Sequence, residues 1–140
     1  MEKEYGVDMP LFLHGGESLD SLGNTNLYDI ILLKCKRVGH GISLVHHSYL
    51  LDMIKKNEIC LECCPVSNQC LRYIDDIRMH PLKTFLNYGV KVSINSDDPA
   101  LFGYQGITLD YYFAAVGCLL DLKDLKTLVK NSIDCSQCNE

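Results

Sequence analysis

Short apolar runs punctuate the chain at residues 9–13, 59–63 and 90–94, and each reads as a buried strand. Arg37-Val38-Gly39 is a further short strand candidate. Between these runs the apolar positions recur at helical spacing. Leu27, Ile30, Ile31 and Leu33 suit one face of a helix over 27–34, behind an N-cap cluster of Asn24, Thr25 and Asn26. Ser48 can cap a helix over 49–57, which carries basic residues near its end. Pro65 stops the third strand. A helix over 81–88 has proline near its start and Gly89 just past its end. Helices over 110–119 and 122–133 follow the last strand. The order is βα four times over. Such alternation with short connections predicts a parallel sheet with right-handed crossovers.

With 140 residues the chain supports one domain core. No linker or low-complexity segment divides it, so 1–140 reads as one unit. Four βα units are too few to close a (β/α)8 barrel of about 250 residues. The pattern alone therefore leaves two architectures open: a small open sheet, or half of something larger.

Composition narrows the function. Apolar residues make up 47%, which excludes disorder. The net charge of −5 and the lack of any basic run argue against a nucleic-acid partner. No run approaches the roughly 18 apolar residues of a membrane-spanning helix. The charged start Met1-Glu2-Lys3-Glu4-Tyr5 shows no signal-peptide core. The chain has eight cysteines. Cys60-x-x-Cys63 and Cys135-x-x-Cys138 stand too far apart for the usual paired zinc motif. Cys60 and Cys63 also fall in a strand-like run, where an odd offset puts side chains on opposite faces. Packed or extracellular cysteines fit better.

The candidate chemistry sits at the ends of the strands. Leu13-His14-Gly15-Gly16-Glu17, Arg37-Val38-Gly39-His40-Gly41 and Ser93-Ile94-Asn95-Ser96-Asp97-Asp98-Pro99 each place metal-type or proton-transfer side chains directly after apolar residues. His, Glu, His, Asp and Asp at three strand ends read as one site, as parallel α/β enzymes build theirs. Taken singly, His14 could be a core histidine, Glu17 a loop carboxylate, His40 a turn histidine and Asp97-Asp98-Pro99 a helix-entry turn.

Taken together, seven segments resemble the adenosine deaminase family, most closely its secreted growth-factor branch. They are Phe12-Leu13-His14-Gly15-Gly16-Glu17, Asn26-Leu27-Tyr28-Asp29, Arg37-Val38-Gly39-His40-Gly41, Cys64-Pro65-Val66-Ser67-Asn68-Gln69, Asp76-Ile77-Arg78-Met79-His80-Pro81, Ser96-Asp97-Asp98-Pro99 and Asn131-Ser132-Ile133. The resemblance implies the C-terminal half, strands 5–8, of a (β/α)8 barrel of the metallo-dependent hydrolase type, carrying one Zn2+. It implies His14 and Asp97 as zinc ligands, Glu17 as the acid that protonates the purine, and His40 as the group that orients or deprotonates the attacking water. Asp98 and Gly16 are implied as substrate contacts. Two further zinc ligands would come from a His-x-His pair, and this sequence contains none.

Zinc is the expected cofactor because it lowers the pKa of bound water towards ~7. The expected reaction is deamination of adenosine or deoxyadenosine, with a purine nucleoside as small-molecule partner, no nucleic acid, no membrane, and a homo-oligomer allowed. Extracellular localisation rests on the resemblance alone. The alternative is a catalytically inactive relative acting as an extracellular binding or growth-factor-like protein. Ser67 and Asn68 are expected to shape a loop, and Arg78 and His80 to fix another. Half a barrel leaves strand edges unpaired, so these 140 residues alone are expected to be insoluble, dimeric or poorly folded, and inactive.

Overall fold

The computed structural model describes residues 9–18 and 25–138. Asn24 and the charged segment 1–5, both used in the sequence reading, lie outside those residues.

Four parallel strands form one sheet in sequence order: β1 (Phe12–Gly15), β2 (Arg37–His40), β3 (Cys60–Cys63) and β4 (Val92–Ile94). Helices intervene, all but α3 as expected: α1 (Asn26–Leu32), α2 (Ser48–Lys56), α3 (Pro65–Cys70), α4 (Leu82–Tyr88), α5 (Thr108–Gly117) and α6 (Leu122–Asp134). Two 3-10 turns, Ile42–His46 and Ile77–Met79, complete the list among the described residues.

The register sorts the two faces of the sheet. Leu13, Val38, Leu61 and Val92 stand side by side across the four strands. Their row packs with Leu27, Ile30, Leu50, Ile54, Leu82, Phe85 and Leu128 from the helices. Side chains alternate along a strand, so the adjacent row of His14, Gly39, Glu62 and Ser93 faces the other way. That second face is polar. Near its base Arg37 Nε donates to Glu62 Oε1 at 2.6 Å and Arg37 Nη1 to the Cys135 carbonyl at 3.0 Å, tying β2 and β3 to the end of α6. Cys60 and Cys63 are both fully buried, and burial pushes the Cys60 thiol up to about 12. All eight cysteines are free thiols, six of them buried and Cys70 and Cys138 exposed, so no disulfide joins them.

Several boundaries moved. The first strand runs over 12–15 rather than 9–13. Pro10 has no N–H to give a ladder, and the strand begins beyond it. His14 is therefore inside β1, paired with Gly39, not just past its end. Ser48 begins α2 without a side-chain cap. Gly89 does close α4 in the left-handed conformation, φ 83°. Ser67 and Asn68, expected in a loop, sit on α3, which Pro65 starts. On α6 Asp121 and Asp124 form a reciprocal capping box.

Candidate active site

The C-terminal ends of β1, β2 and β4 bring the sequence candidates together. One ligand atom each of His14, His40 and Asp97 lies within 4.8 Å of the other two. His40 Nε2 is 3.4 Å from Glu17 Oε1 and 4.0 Å from Asp97 Oδ2. The imidazoles of His14 and His40 stand 5.1 Å apart, centre to centre.

Local backbone geometry aims these groups. Gly39 leaves room for the His14 ring, because a Cβ there would come within 3.0 Å of it. His40 has φ 69° and Asp97 φ 56°. Left-handed backbone at a non-glycine residue costs on the order of 1 kcal/mol, and such residues cluster at functional sites. Here it turns each side chain off the strand direction and into the shared space. Gly16, at φ 64°, could not carry a side chain: a Cβ would meet Ser43 Oγ at 2.7 Å and Leu27 Cδ2 at 2.9 Å. Its N–H donates to Asn26 Oδ1 at 3.3 Å and its carbonyl accepts from the Ser43 N–H at 2.8 Å, which fixes the turn that delivers Glu17.

A second set of residues holds the first, and the sequence reading had given it no such role. Ser67 Oγ donates to Asp97 Oδ2 at 2.6 Å, so one carboxylate oxygen is committed. Asn68 Nδ2 lies 3.3 Å from His40 Nδ1, and Asn68 Oδ1 lies 3.2 Å from His80 Nε2. Ser67 and Asn68 are fully buried and His80 nearly so. Burial, with His40 nearby, pulls His80 down to about 4, so it is neutral at pH 7. The Tyr104 hydroxyl donates to buried Asp110 at 2.7 Å and lies 3.4 Å from the Ser96 carbonyl, bracing the backbone just before Asp97. Burial raises the Asp110 carboxyl, and burial together with that hydrogen bond raises Tyr104.

Asp98 is exposed beside Asp97, and its carbonyl accepts from the Leu101 N–H at 3.0 Å to close the turn. A cleft of about 840 Å³ bordered by Tyr73, Arg78, Lys83 and His80 contains none of His14, Glu17, His40 or Asp97. The chemistry is not there.

Two imidazoles and a carboxylate are a borderline-soft donor set suited to zinc, whose bonds to them run about 2.0–2.2 Å. Tetrahedral bonds of that length set ligand atoms about 3.3–3.6 Å apart. The three atoms here converge to within 4.8 Å, and their donor types fit that ion.

The family model described as adenosine deaminase matches residues 4–140. Adenosine deaminase 2 of Dictyostelium discoideum is 45% identical over 131 residues, covering 94% of this chain and 24% of that protein. This chain thus spans about a quarter of the length of that relative. Among solved structures, an adenine deaminase of Arthrobacter aurescens superposes with a TM-score of 0.82 at 28% identity, over 94% of this chain and 39% of that one. An amidohydrolase of Burkholderia ambifaria, solved with bound Zn, superposes with a TM-score of 0.76 at 22% identity, over 94% and 36%. The fold is that of a partial (β/α)8 barrel. The chain belongs to the adenosine deaminase family.

Proposed function

We propose that the chain is the C-terminal half of a catalytic barrel that hydrolyses the purine amino group of adenosine or deoxyadenosine, giving inosine or deoxyinosine and ammonia. The observation that carries this is the convergence of His14, His40 and Asp97 within 4.8 Å, with Glu17 3.4 Å from His40. His14 and Asp97 would hold the zinc. Zinc bound there supplies a water acidified towards neutral pH.

The chain's own groups do the rest. Addition of water at purine C6 needs N1 to take up a proton, and Glu17, two residues past β1, is the acid that gives it. His40 Nε2 orients or deprotonates the attacking water, 3.4 Å from that acid. Ser67 keeps Asp97 aimed through its 2.6 Å hydrogen bond. Exposed Asp98 is free to hydrogen-bond the purine, and Gly16 lets the ligand approach the backbone. The zinc of the Burkholderia neighbour and the names of the relatives support this reading. So does the branch resembled for an extracellular location.

The test uses the full-length protein, purified with zinc and given adenosine, with inosine and ammonia as readouts. Glu17→Gln is expected to lose turnover and keep its zinc. His14→Ala is expected to lose both. Zinc retained at full stoichiometry in His14→Ala would overturn the ligand assignment, and no turnover by the native protein would overturn the activity.

A further inference from the structure

The buried chain Leu82, His80, Asn68, His40 holds more information than its distances, because one end of it is a backbone amide. The Leu82 N–H can only donate, and it donates to His80 Nδ1 at 3.0 Å. His80 Nδ1 is therefore an acceptor. A neutral imidazole with an acceptor at Nδ1 carries its proton on Nε2. That nitrogen lies 3.2 Å from Asn68 Oδ1, so the amide oxygen accepts there. This fixes which way round the amide sits. Its NH2 then faces His40 Nδ1 at 3.3 Å and can only donate to it. His40 Nδ1 accepts, which leaves its proton on Nε2.

We infer that Asn68 and His80 are positioning residues that hold neutral His40 as the Nε2–H tautomer, making His40 a donor towards Glu17 and Asp97 rather than a metal ligand or a base. His40 Nε2 has two carboxylate acceptors beside it, Glu17 Oε1 at 3.4 Å and Asp97 Oδ2 at 4.0 Å. Along the chain the Leu82 N–H meets His80 Nδ1, His80 Nε2–H meets Asn68 Oδ1, and an Asn68 N–H meets His40 Nδ1. His40, Asn68 and His80 are 2%, 0% and 4% exposed, so no bulk water can substitute for a missing partner. The reverse assignment would set the Leu82 N–H against another N–H. Of the three members of the candidate ligand cluster, His14 and Asp97 then remain as ligands, and His40 acts on the water and carboxylates beside them. This choice between orienting and deprotonating rests on the proposed deaminase reading, but the tautomer itself does not depend on turnover.

The experiment is a long-range 1H–15N correlation spectrum of uniformly 15N-labelled, metal-free protein at pH ~8.5, where imidazoles are neutral. His40 is expected to show its proton on Nε2. Asn68→Asp keeps the side-chain size and replaces the donor by a second acceptor. It is expected to move the His40 proton to Nδ1, and in zinc-loaded protein to lower kcat by on the order of 10²-fold with little change in KM. His80→Gln keeps a donor where Nε2 lay and is expected to retain the native tautomer and rate. His80→Leu is expected to lose them. A native His40 with its proton on Nδ1 overturns the inference and needs no variant to fold. So does an unchanged tautomer in Asn68→Asp. A native protein with the stated tautomer and no deaminase activity would instead sink the proposed function and leave this inference standing.

Discussion

Acidification should strip stability from this protein through one buried ring. His80 is 4% exposed and is bonded at both nitrogens, with the Leu82 amide donating to Nδ1 and Asn68 Oδ1 accepting at Nε2. A proton added at Nδ1 would face that amide N–H. Burial and the neighbouring His40 lower its folded value from 6.5 to about 4. The unfolded chain keeps the ordinary value, so between pH 6.5 and 4 it binds a proton that the folded chain does not. Stability therefore rises with pH across that window and falls as pH drops through it. At about 1.4 kcal/mol per pKa unit the full loss is on the order of 3 kcal/mol, complete near pH 4. Urea unfolding followed by circular dichroism at a series of pH values measures it, with His80→Gln as the control that lacks the titrating group. The difference between the two slopes isolates His80 from the carboxylates. An NMR titration of the His80 ring proton supplies the midpoint directly. A His80 midpoint near 6.5, or identical pH slopes in the two proteins, would refute the reasoning.

Ser67→Ala removes the 2.6 Å bond to Asp97 Oδ2; zinc affinity measured by chelator competition is expected to fall 10–100-fold, the usual cost of losing a partner that orients a ligand. Gly16→Ala puts a Cβ 2.7 Å from Ser43 Oγ at φ 64°. A stability loss of more than about 1 kcal/mol is expected in urea melts, with turnover reduced because Glu17 shifts. Phe85→Ala empties a fully buried position between α4 and the sheet and is expected to cost about 3–5 kcal/mol in the same melts.

The convergence of His14, His40 and Asp97 was legible because these residues follow apolar runs. His14, His40 and Asp97 each sit within or just past a strand, and in a parallel sheet all such ends meet at one edge. The residues behind them were not. Pro65 to Cys70 is six residues with polar Ser67, Asn68 and Gln69 and reads as a loop, yet it is a helix whose Ser67 and Asn68 turn inward. A proline immediately after a strand was the available signal, since proline suits a first helical turn. His80 lay twelve positions beyond Asn68 and was read only as fixing a loop.

Local pattern alone determined the alternation of strand and helix and the kinds of chemistry available at the strand ends. Those features depend on side-chain periodicity and on residue type, both of which are written along the chain. Tertiary structure alone decided that His40 turns at φ 69°, that Ser67 grips Asp97, and that a single amide of Leu82 orders the protons as far as His40. Hydrogen-bond partners between residues far apart in sequence depend on where the folded backbone sets them, and no spacing or periodicity encodes that distance.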